Sequence, residues 1–336
     1  GYNSKGQVNQ VAKPGETVTY RWFAGKVERD PSGMLKHTPV EFGSLNLFPS
    51  DPMFQHYNGL FGAMVIEPAG STWQCGEATN PGSCDPSPSV PPPTSRASAT
   101  VKLADGSFFR EFVLMTSDDI KISPSLSYGA KSPDGTRPVI AVNPANTSSV
   151  NYRTEPRSLR FAFNATRDFS CMLSNQLVNS EPVTPIFTAN PGDPVRFRMT
   201  HPFGLGTSQV FSVHGHVWQR NPYTNHSKEI GKNRLSQWLG SRDNHGSTDH
   251  FDLTIDKAGG EAKQPGDYLY TVFLPGQAQL GAWGIFRVGN PNTSMAPNAR
   301  CPVIPPSSDA SYVVPKQSDL DMLIRKPISD PSKDKP

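Results

Sequence analysis

The chain has 336 residues, among them 34 prolines and 28 glycines, with 35% hydrophobic and 18% charged residues. This composition is typical of short strands joined by many turns rather than of a helical bundle. The formal net charge of +3 is scattered without a basic stripe, which argues against nucleic-acid binding. No apolar run approaches the length of about 18 residues that crosses a bilayer, so we expect no membrane span.

Alternating β-forming residues mark strands along the chain. The first strong segment, 16–22, follows Pro14 and Gly15 and is predicted to be a strand entered from a turn. Residues 59–68 predict a buried strand closed by Pro68. The predicted class is all-β, with further strands at 108–115, 159–163, 185–189, 195–199, 250–255, 266–273 and 284–288.

Internal similarity suggests two related β-domains. Residues 59–65 resemble 281–288, since each has two glycines three apart leading into a β-rich run, and 14–18 resemble 191–195. Only two or three clear strands precede residue 75, whereas an all-β sandwich normally takes about seven over roughly 100 residues. We therefore expect the chain to begin partway through a domain. The missing initial Met and signal peptide indicate processing or a shortened chain.

Four segments follow from this division. Residues 1–74 are predicted to be the C-terminal half of a domain, and 75–99, rich in Pro, Ser and Gly, a linker or long surface loop. Residues 100–290 are predicted to form a second, nearly whole domain. Residues 291–336 are polar and proline-rich and are predicted to be an extended tail.

The cysteines and the glycosylation triplets both fit an exported protein, extracellular or periplasmic. The four cysteines contain no CxxC pair, which excludes a zinc-ribbon or thioredoxin site. Three pairings are open to them, and we favour the local disulfide between Cys75 and Cys84, which leaves Cys171 and Cys301. N-x-S/T triplets begin at Asn146, Asn164, Asn225 and Asn292.

The most informative stretch is 211–218, which contains the only histidines two positions apart, His214 and His216. In a strand, residues two apart project to the same face, so this pair could serve one metal or two adjacent ones. Copper and zinc accept imidazole ligands, whereas calcium and magnesium prefer oxygen. Alternatively, Gly215 breaks the strand and the histidines sit in a bend, or each is a buried imidazole bonded to backbone.

Less is expected of the other histidines and of other catalytic motifs. His37, His56 and His226 lie in turn-rich polar stretches and are predicted to be solvated. His201 precedes a proline at a strand end, and His245 and His250 have a loop spacing that could reach a metal. The sequence has no GxSxG elbow, no GxGxxG strand-turn-helix unit and no GxxxxGK[ST] phosphate loop.

Several segments together resemble the cupredoxin domains of multicopper oxidases. Two segments resemble the second half of one such domain, namely PGETVTYRW and GLFGAMVIEP. Four further segments together resemble a nearly whole second domain, namely PGDPVRFRM, FSVHGHVWQ, GDYLYTVF and LGAWGIFRV. Four segments resemble the C-terminal portion of the large bacterial multicopper oxidases, including manganese-oxidising ones. These segments are EFGSLNLFPSD, REFVLMTSDD, NYRTEP and HGHVWQ. The resemblance implies tandem cupredoxin-like Greek-key β-sandwiches, the first one truncated at its N-terminus.

In that family, electrons enter at a type 1 copper bound by two His and one Cys, and oxygen is reduced at three coppers held by HxH pairs. The pattern HPxHxHGH ends on His214 and His216, with Gln209 and Ser212 at its first two histidines. By this pattern His214 keeps a ligand position and His216 is a structural neighbour. The closing pattern HCHxxxHxxxGM has none of its ligands, since its places are taken by Thr271, Val272, Phe273, Gln277 and Ala282.

Two functions are compatible with these residues. In the first, the chain is part of a multicopper oxidase that couples oxidation of a metal ion or small organic substrate to oxygen reduction. Copper would then be shared with other cupredoxin domains of the same enzyme, on a missing or separate polypeptide. The alternative is a copper-free cupredoxin scaffold or binding module without catalysis.

Overall fold

The computed structural model describes most of the chain up to residue 289. The described residues are 2–3, 5–8, 11–51, 54–57, 59–77, 80–82, 97–120, 147–154, 173, 182, 184–204, 209–223, 227–272 and 281–289. The predicted strand at 159–163, the predicted tail, the four sequons and the last three cysteines lie outside these ranges. Within them, no helix is long and apolar enough to span a bilayer.

The first part of the chain consists of short strands and one helical turn. These elements are β1 (Tyr2–Asn3), β2 (Val18–Thr19), β3 (Gly25–Arg29), β4 (Leu35–Pro39), β5 (Gly43–Leu47), α1 (Phe54–Tyr57), β6 (Gly62–Ile66), β7 (Thr72–Glu77) and β8 (Asn80–Gly82). Strands β1 with β2, β3 with β4, and β5 with β6 form separate two-stranded antiparallel sheets. Of the predicted strand at 16–22, only β2 is a strand.

The second part contains the longer strands. They are β9 (Ser98–Lys102), β10 (Phe108–Ile120), β11 (Thr147–Val150), β12 (Ile186–Ala189), β13 (Val195–Phe203), β14 (Gln209–Val213), β15 (Trp218–Gln219), β16 (Trp238–Leu239), β17 (Ser241–His245), β18 (His250–Ile255), β19 (Gly266–Val272) and β20 (Trp283–Val288). The predicted strands at 250–255 and 266–273 are confirmed, the second to within one residue.

Two large sheets make a sandwich. One has seven strands in the order β18-β13-β10-β9-β7-β8, with β11 also paired to β10, and the other has five in the order β12-β20-β19-β14-β17. The pairs β10–β13 and β12–β20 are parallel although their members are not consecutive, so the chain crosses between the sheets as in a Greek key. The predicted all-β class and the sandwich of two packed sheets are confirmed.

The core lies between the two sheets and follows from strand alternation. In β13, Val195, Phe197 and Met199 are at most 1% exposed and face the core. Opposite them stand Phe187 and Phe286 of the five-stranded sheet, and the Phe197 and Phe286 ring centroids are 5.5 Å apart. Such aromatic packing joins the two sheets through apolar burial and favourable ring geometry.

Strand pairing extends into both ends of the predicted linker 75–99. Strand β7 pairs with β9, which in turn pairs with β10, so these strands extend the seven-stranded sheet. Cys75 lies in β7, and the described residues contain no free cysteine. The domain boundaries and the Cys75–Cys84 pairing stay predictions.

Strand β13 does not end at His201 and Pro202 as predicted, but continues to Phe203. The register with β10 shifts between Met115 and Ser117, beside this proline. A bulge of this kind accommodates a residue that has no N–H to donate to the ladder.

Strand β5 of the β5–β6 ribbon makes polar contacts with the outer face of the seven-stranded sheet. Ser44 Oγ donates to the Met199 carbonyl at 3.0 Å, and Asn46 Nδ2 donates to the Thr248 carbonyl at 2.8 Å. Gly43 has a φ of +66°, and a Cβ there would overlap the Asp252 carboxylate. By strand alternation Leu45 and Leu47 face away from the sandwich, and Leu47 is 40% exposed.

We expect Gly284→Ala to destabilise the sandwich by about 1–3 kcal/mol, because overpacking a dense core forces its neighbours to move. Gly284 is paired with Tyr270, and a Cβ at 284 would overlap the Tyr270 ring, which is fully buried. Urea unfolding measures the change. Gly246→Ala is the matched control, since a Cβ there meets nothing within 4 Å. Equal stability of the two variants would contradict this account of residue 284.

Candidate functional site

The predicted histidine pair does not lie on one strand face. Strand β14 ends at Val213, and the chain turns at residues 214 and 215, where Gly215 takes a φ of +71° that glycine adopts without steric cost. His214 is exposed, whereas His216 is only 3% exposed. The turn therefore sends the two imidazoles in different directions, which is the bend arrangement.

Both ring nitrogens of His216 are in hydrogen bonds. The Gly259 N–H donates to Nε2 at 2.9 Å, so Nε2 is an acceptor and the proton is on Nδ1, which donates to the His214 carbonyl at 2.8 Å. Burial lowers the pKa of His216, and the ring packs edge-on against Tyr268 and Phe286. In this arrangement His216 has no lone pair to offer a metal, whereas His214 has an accessible imidazole.

Metal binding by His214 and His216 stays a prediction. Among the residues that the structure describes, no group of three or more His, Cys, Asp or Glu side chains could hold a metal ion. A site that uses His214 would need its other ligands from elsewhere.

The positions of the type 1 copper ligands do not fit that metal. Val272, at the place of the cysteine, is 1% exposed and belongs to the core, and Ala282, at the axial place, is 2% exposed. The Thr271 hydroxyl donates to the Val272 carbonyl at 3.3 Å. A type 1 site requires a thiolate, which valine cannot replace. Phe273 and Gln277 lie outside the described residues.

The opposite end of β14 carries a buried polar cluster, which consists of Thr116, Asp118, His201, Gln209 and His245. Gln209 Nε2 donates to Asp118 Oδ2 at 2.9 Å. Asp118 Oδ1 lies 3.4 Å from His201 Nε2, and the other ring nitrogen of His201 is 2.9 Å from the Thr116 hydroxyl. Strands β10, β13 and β14 thus bring one carboxylate, one amide and one imidazole into a continuous chain of contacts.

His245 completes this cluster from the neighbouring strand β17. It is paired with Gln209 in the sheet, and its ring centroid is 5.9 Å from that of His201. The side chain is 1% exposed, and neither ring nitrogen makes a hydrogen bond of normal geometry. Burial, followed by the neighbouring His201, lowers its pKa from 6.5 to about 4. His245 is therefore neutral at physiological pH.

Close packing determines what this polar cluster can do. A Cβ at Gly204 would overlap Asp118 and come within 2.7 Å of His201 Nε2, so backbone fills the space beside the Asp118–His201 contact. Among the described residues, the cluster forms a chain of buried polar contacts that links β10, β13 and β14.

The sequence did not reveal the polar cluster, because its members are far apart in the chain. The sequence puts His201 at a strand end and groups His245 with His250, and no local spacing links His201 or His245 with Asp118 or Gln209. Only the strand order of the two sheets brings them together. The prediction that His56 is solvated is wrong, since it is 6% exposed and its ring packs against Phe48. His37 and His250 are exposed.

Comparison with known proteins finds only distant structural similarity. No protein-family model matches the chain, and neither does any characterised protein sequence. A crystal structure of a multicopper oxidase aligns with 57% of this chain and 55% of its own, with 12% identity and a TM-score of 0.30. The chain thus spans about half the length of that oxidase.

Copper nitrite reductases align as well. The enzyme from Nitrosomonas europaea covers 80% of this chain and 73% of its own, with 17% identity and a TM-score of 0.40. The enzyme from Thermus scotoductus covers 53% and 30%, with 17% identity and a TM-score of 0.29.

We expect His216→Ala to destabilise the fold by about 1–3 kcal/mol, because it leaves the buried Gly259 N–H without an acceptor. His214→Ala should change stability by less than about 0.5 kcal/mol, since that side chain is exposed. Denaturant titration of both variants measures the difference. A larger loss from His214→Ala than from His216→Ala would be incompatible with this turn.

His245 should make stability fall at acid pH. Its folded pKa, about 4, is below the ordinary 6.5, so the unfolded chain takes up the proton first as the pH drops. Stability is lost progressively from about pH 6.5 down to about pH 4, by up to about 3 kcal/mol. Phenylalanine cannot titrate, so His245→Phe should reduce the dependence of the unfolding free energy on pH, measured by unfolding curves across this range. The smaller contribution of His216 should remain. An unchanged slope would remove His245 as its source.

Proposed function

We propose that this chain is a scaffold portion of a multidomain protein of the multicopper-oxidase kind, and that the 100–290 domain does not itself form a type 1 copper site. The main support is Val272, which occupies the thiolate position as a buried core residue. Gln209, at the position of the first histidine, is hydrogen-bonded to Asp118. Both positions are thus committed to packing rather than to metal ligation.

In this proposal His214 is the residue that would take part in a copper site, together with histidines of other domains. Its imidazole is exposed on a turn, and the neighbouring His216 fixes that turn through its bond to the His214 carbonyl. Bound copper would supply one-electron transfer and oxygen reduction. The part of this chain is to hold the His214 turn rigid by anchoring His216 to Gly259.

The partners we propose are other cupredoxin domains of the same protein, on a separate or missing polypeptide. Three two-stranded sheets in the first part of the chain leave large apolar side chains at the surface. Trp22 is 70% exposed, Met34 69% and Leu60 57%. Isolated two-stranded sheets are marginal in water, and exposed apolar patches of this kind favour association. An extracellular or periplasmic location and the Cys75–Cys84 disulfide belong to the same proposal.

A copper-free binding module without catalysis is the second candidate. It is favoured by the polar cluster at the end of β14, where backbone packing leaves the Asp118–His201 contact closed. Under this alternative His214 would be an ordinary surface residue, and the exposed apolar side chains would serve a partner unrelated to copper.

Elemental analysis and intact-mass analysis of the purified protein separate these candidates. We expect the single chain to show no copper–thiolate absorption band, and copper to accompany it only when a second polypeptide is present. In that complex His214→Ala should lower the copper content, whereas His250→Ala, at another exposed histidine, should not. A thiolate band in the single chain would refute the proposal, and a metal-free complex would favour the binding module.

A further inference from the structure

The buried guanidinium of Arg198 is the centre of the charged contact between the β5–β6 ribbon and the sandwich. Arg198 of β13 is fully buried, and its Nη2 lies 2.6 Å from Glu67 Oε1 and 3.0 Å from Glu41 Oε1. Glu41 and Glu67 flank the ribbon, whereas the remaining partners are on the sandwich. Nε of Arg198 lies 2.8 Å from Glu111 Oε1 of β10, and Nη1 lies 3.1 Å from Asp252 Oδ1 of β18.

The charges in this buried cluster do not balance. Arg196 also pairs with Glu41, so two guanidinium groups face four carboxyl groups. Burial opposes the charge on Arg198, but the carboxylates, Asp252 first, raise its pKa well above the ordinary value, so it stays charged. Four ionised carboxylates would leave uncompensated negative charge in a desolvated space, which is costly.

Glu67 is the carboxyl group that holds a proton. Its Oε2 is buried and, as a carboxylate oxygen, has no hydrogen-bond donor among the described residues. Burial, followed by the hydrogen bond to Glu111, raises its pKa to about 9 in spite of Arg198. At neutral pH Glu67 is therefore a neutral acid, and its O–H can donate to the Glu111 carboxylate. The proton converts a repulsive contact between ribbon and sandwich into a hydrogen bond.

We propose that the shared proton between Glu67 and Glu111 is a pH-sensitive latch, which holds the β5–β6 ribbon on the sandwich at acid and neutral pH and releases it as the solution becomes alkaline. When the proton leaves, Glu67 and Glu111 repel one another across the interface. Arg198 then has to compensate one more carboxylate, and the ribbon loses the hydrogen bond from Glu67 to Glu111 of β10.

The direction follows from linkage. Undocked and solvated, Glu67 would titrate near the ordinary value of 4.5, whereas docked it titrates at about 9. An acid whose pKa is higher in the docked state stabilises docking fully at any pH below its pKa in the undocked state. This stabilisation is lost as the pH rises through the pKa of the docked state. Docking therefore weakens as the pH rises from about 4.5 to about 9, by at most about tenfold per pH unit.

The other titratable groups around Glu67 do not reverse this dependence. Burial raises the pKa of Asp252, and Arg198 only partly offsets this increase. The contribution of Asp252 to the pH dependence of docking therefore has the same sign as that of Glu67. Burial likewise raises the pKa of Tyr223, whose hydroxyl donates to the Glu41 carbonyl, and it stays neutral. Burial lowers the pKa of Arg196, which Glu41 partly offsets. The contribution of Arg196 has the opposite sign, but it begins only at the alkaline pH where the docked guanidinium loses its proton.

Hydrogen exchange of the whole chain tests the latch. Protection of the amides in β5 and β6, corrected for intrinsic exchange, is compared between about pH 7 and about pH 9.5, above the usual range of histidine titration. We expect protection of the ribbon to fall by at least about tenfold over this range, while β19 and β20 in the core stay protected. Unchanged protection of the ribbon in the native protein would overturn the latch.

Glu67→Gln locks the ribbon in the docked state, because the amide keeps an acceptor for Arg198 and a donor for Glu111 but cannot ionise. Its ribbon protection should depend on pH much less than that of the native protein, with only the share of Asp252 remaining. Glu111→Gln, on the sandwich side, removes the repelling charge and should weaken the dependence from the other partner. Glu261→Gln, at an exposed loop carboxylate, is the matched control and should behave like the native protein. The same pH slope in Glu67→Gln as in the control would overturn the latch.

Discussion

Arg198 is the residue on which the contact between the two parts of the chain depends. A buried guanidinium must be compensated, and its partners come from β10, β18 and both flanks of the β5–β6 ribbon. Removing one partner from such a cluster typically costs about 3–5 kcal/mol, because the remaining charge stays buried. The cluster thus fixes where the ribbon sits, while the aromatic core between the sheets, which includes Phe197 and Phe286, stabilises the sandwich independently.

Strand β14 connects two very different ends of that sandwich. At its end, Gly215 turns the chain so that His214 meets solvent and His216 is anchored inside by Gly259. At its start, Gln209 joins a closed polar cluster with Asp118. Five residues of a strand span about 16 Å, so the two ends are chemically separate. The exposed imidazole of His214 lies at one end, and the buried imidazole of His245, whose pKa is lowered, lies at the other.

Local alternation was enough to predict the sandwich but not its sites. The pattern in 195–199 and 250–255 predicted strands and core positions, because each apolar side chain faces the opposite sheet. The same alternation puts Arg196 and Arg198 on the outer face of β13, and no local signal in the sequence shows that Glu41 and Glu67 cover them. The sequence left three interpretations of residues 214–216 open, and the φ of Gly215 and the hydrogen bonds of His216 decide among them.

The β5 strand of the ribbon contacts the sandwich through polar groups, and the charged groups that flank the ribbon make its docking conditional. Ser44 and Asn46 face the sandwich, whereas Leu45 and Leu47 face away from it. An apolar contact would hold at any pH, because burial of hydrocarbon does not involve protons. A contact made of carboxyl groups and guanidinium groups depends on how many protons the carboxyl groups hold. The ribbon therefore responds to pH on the face that it shares with the sandwich.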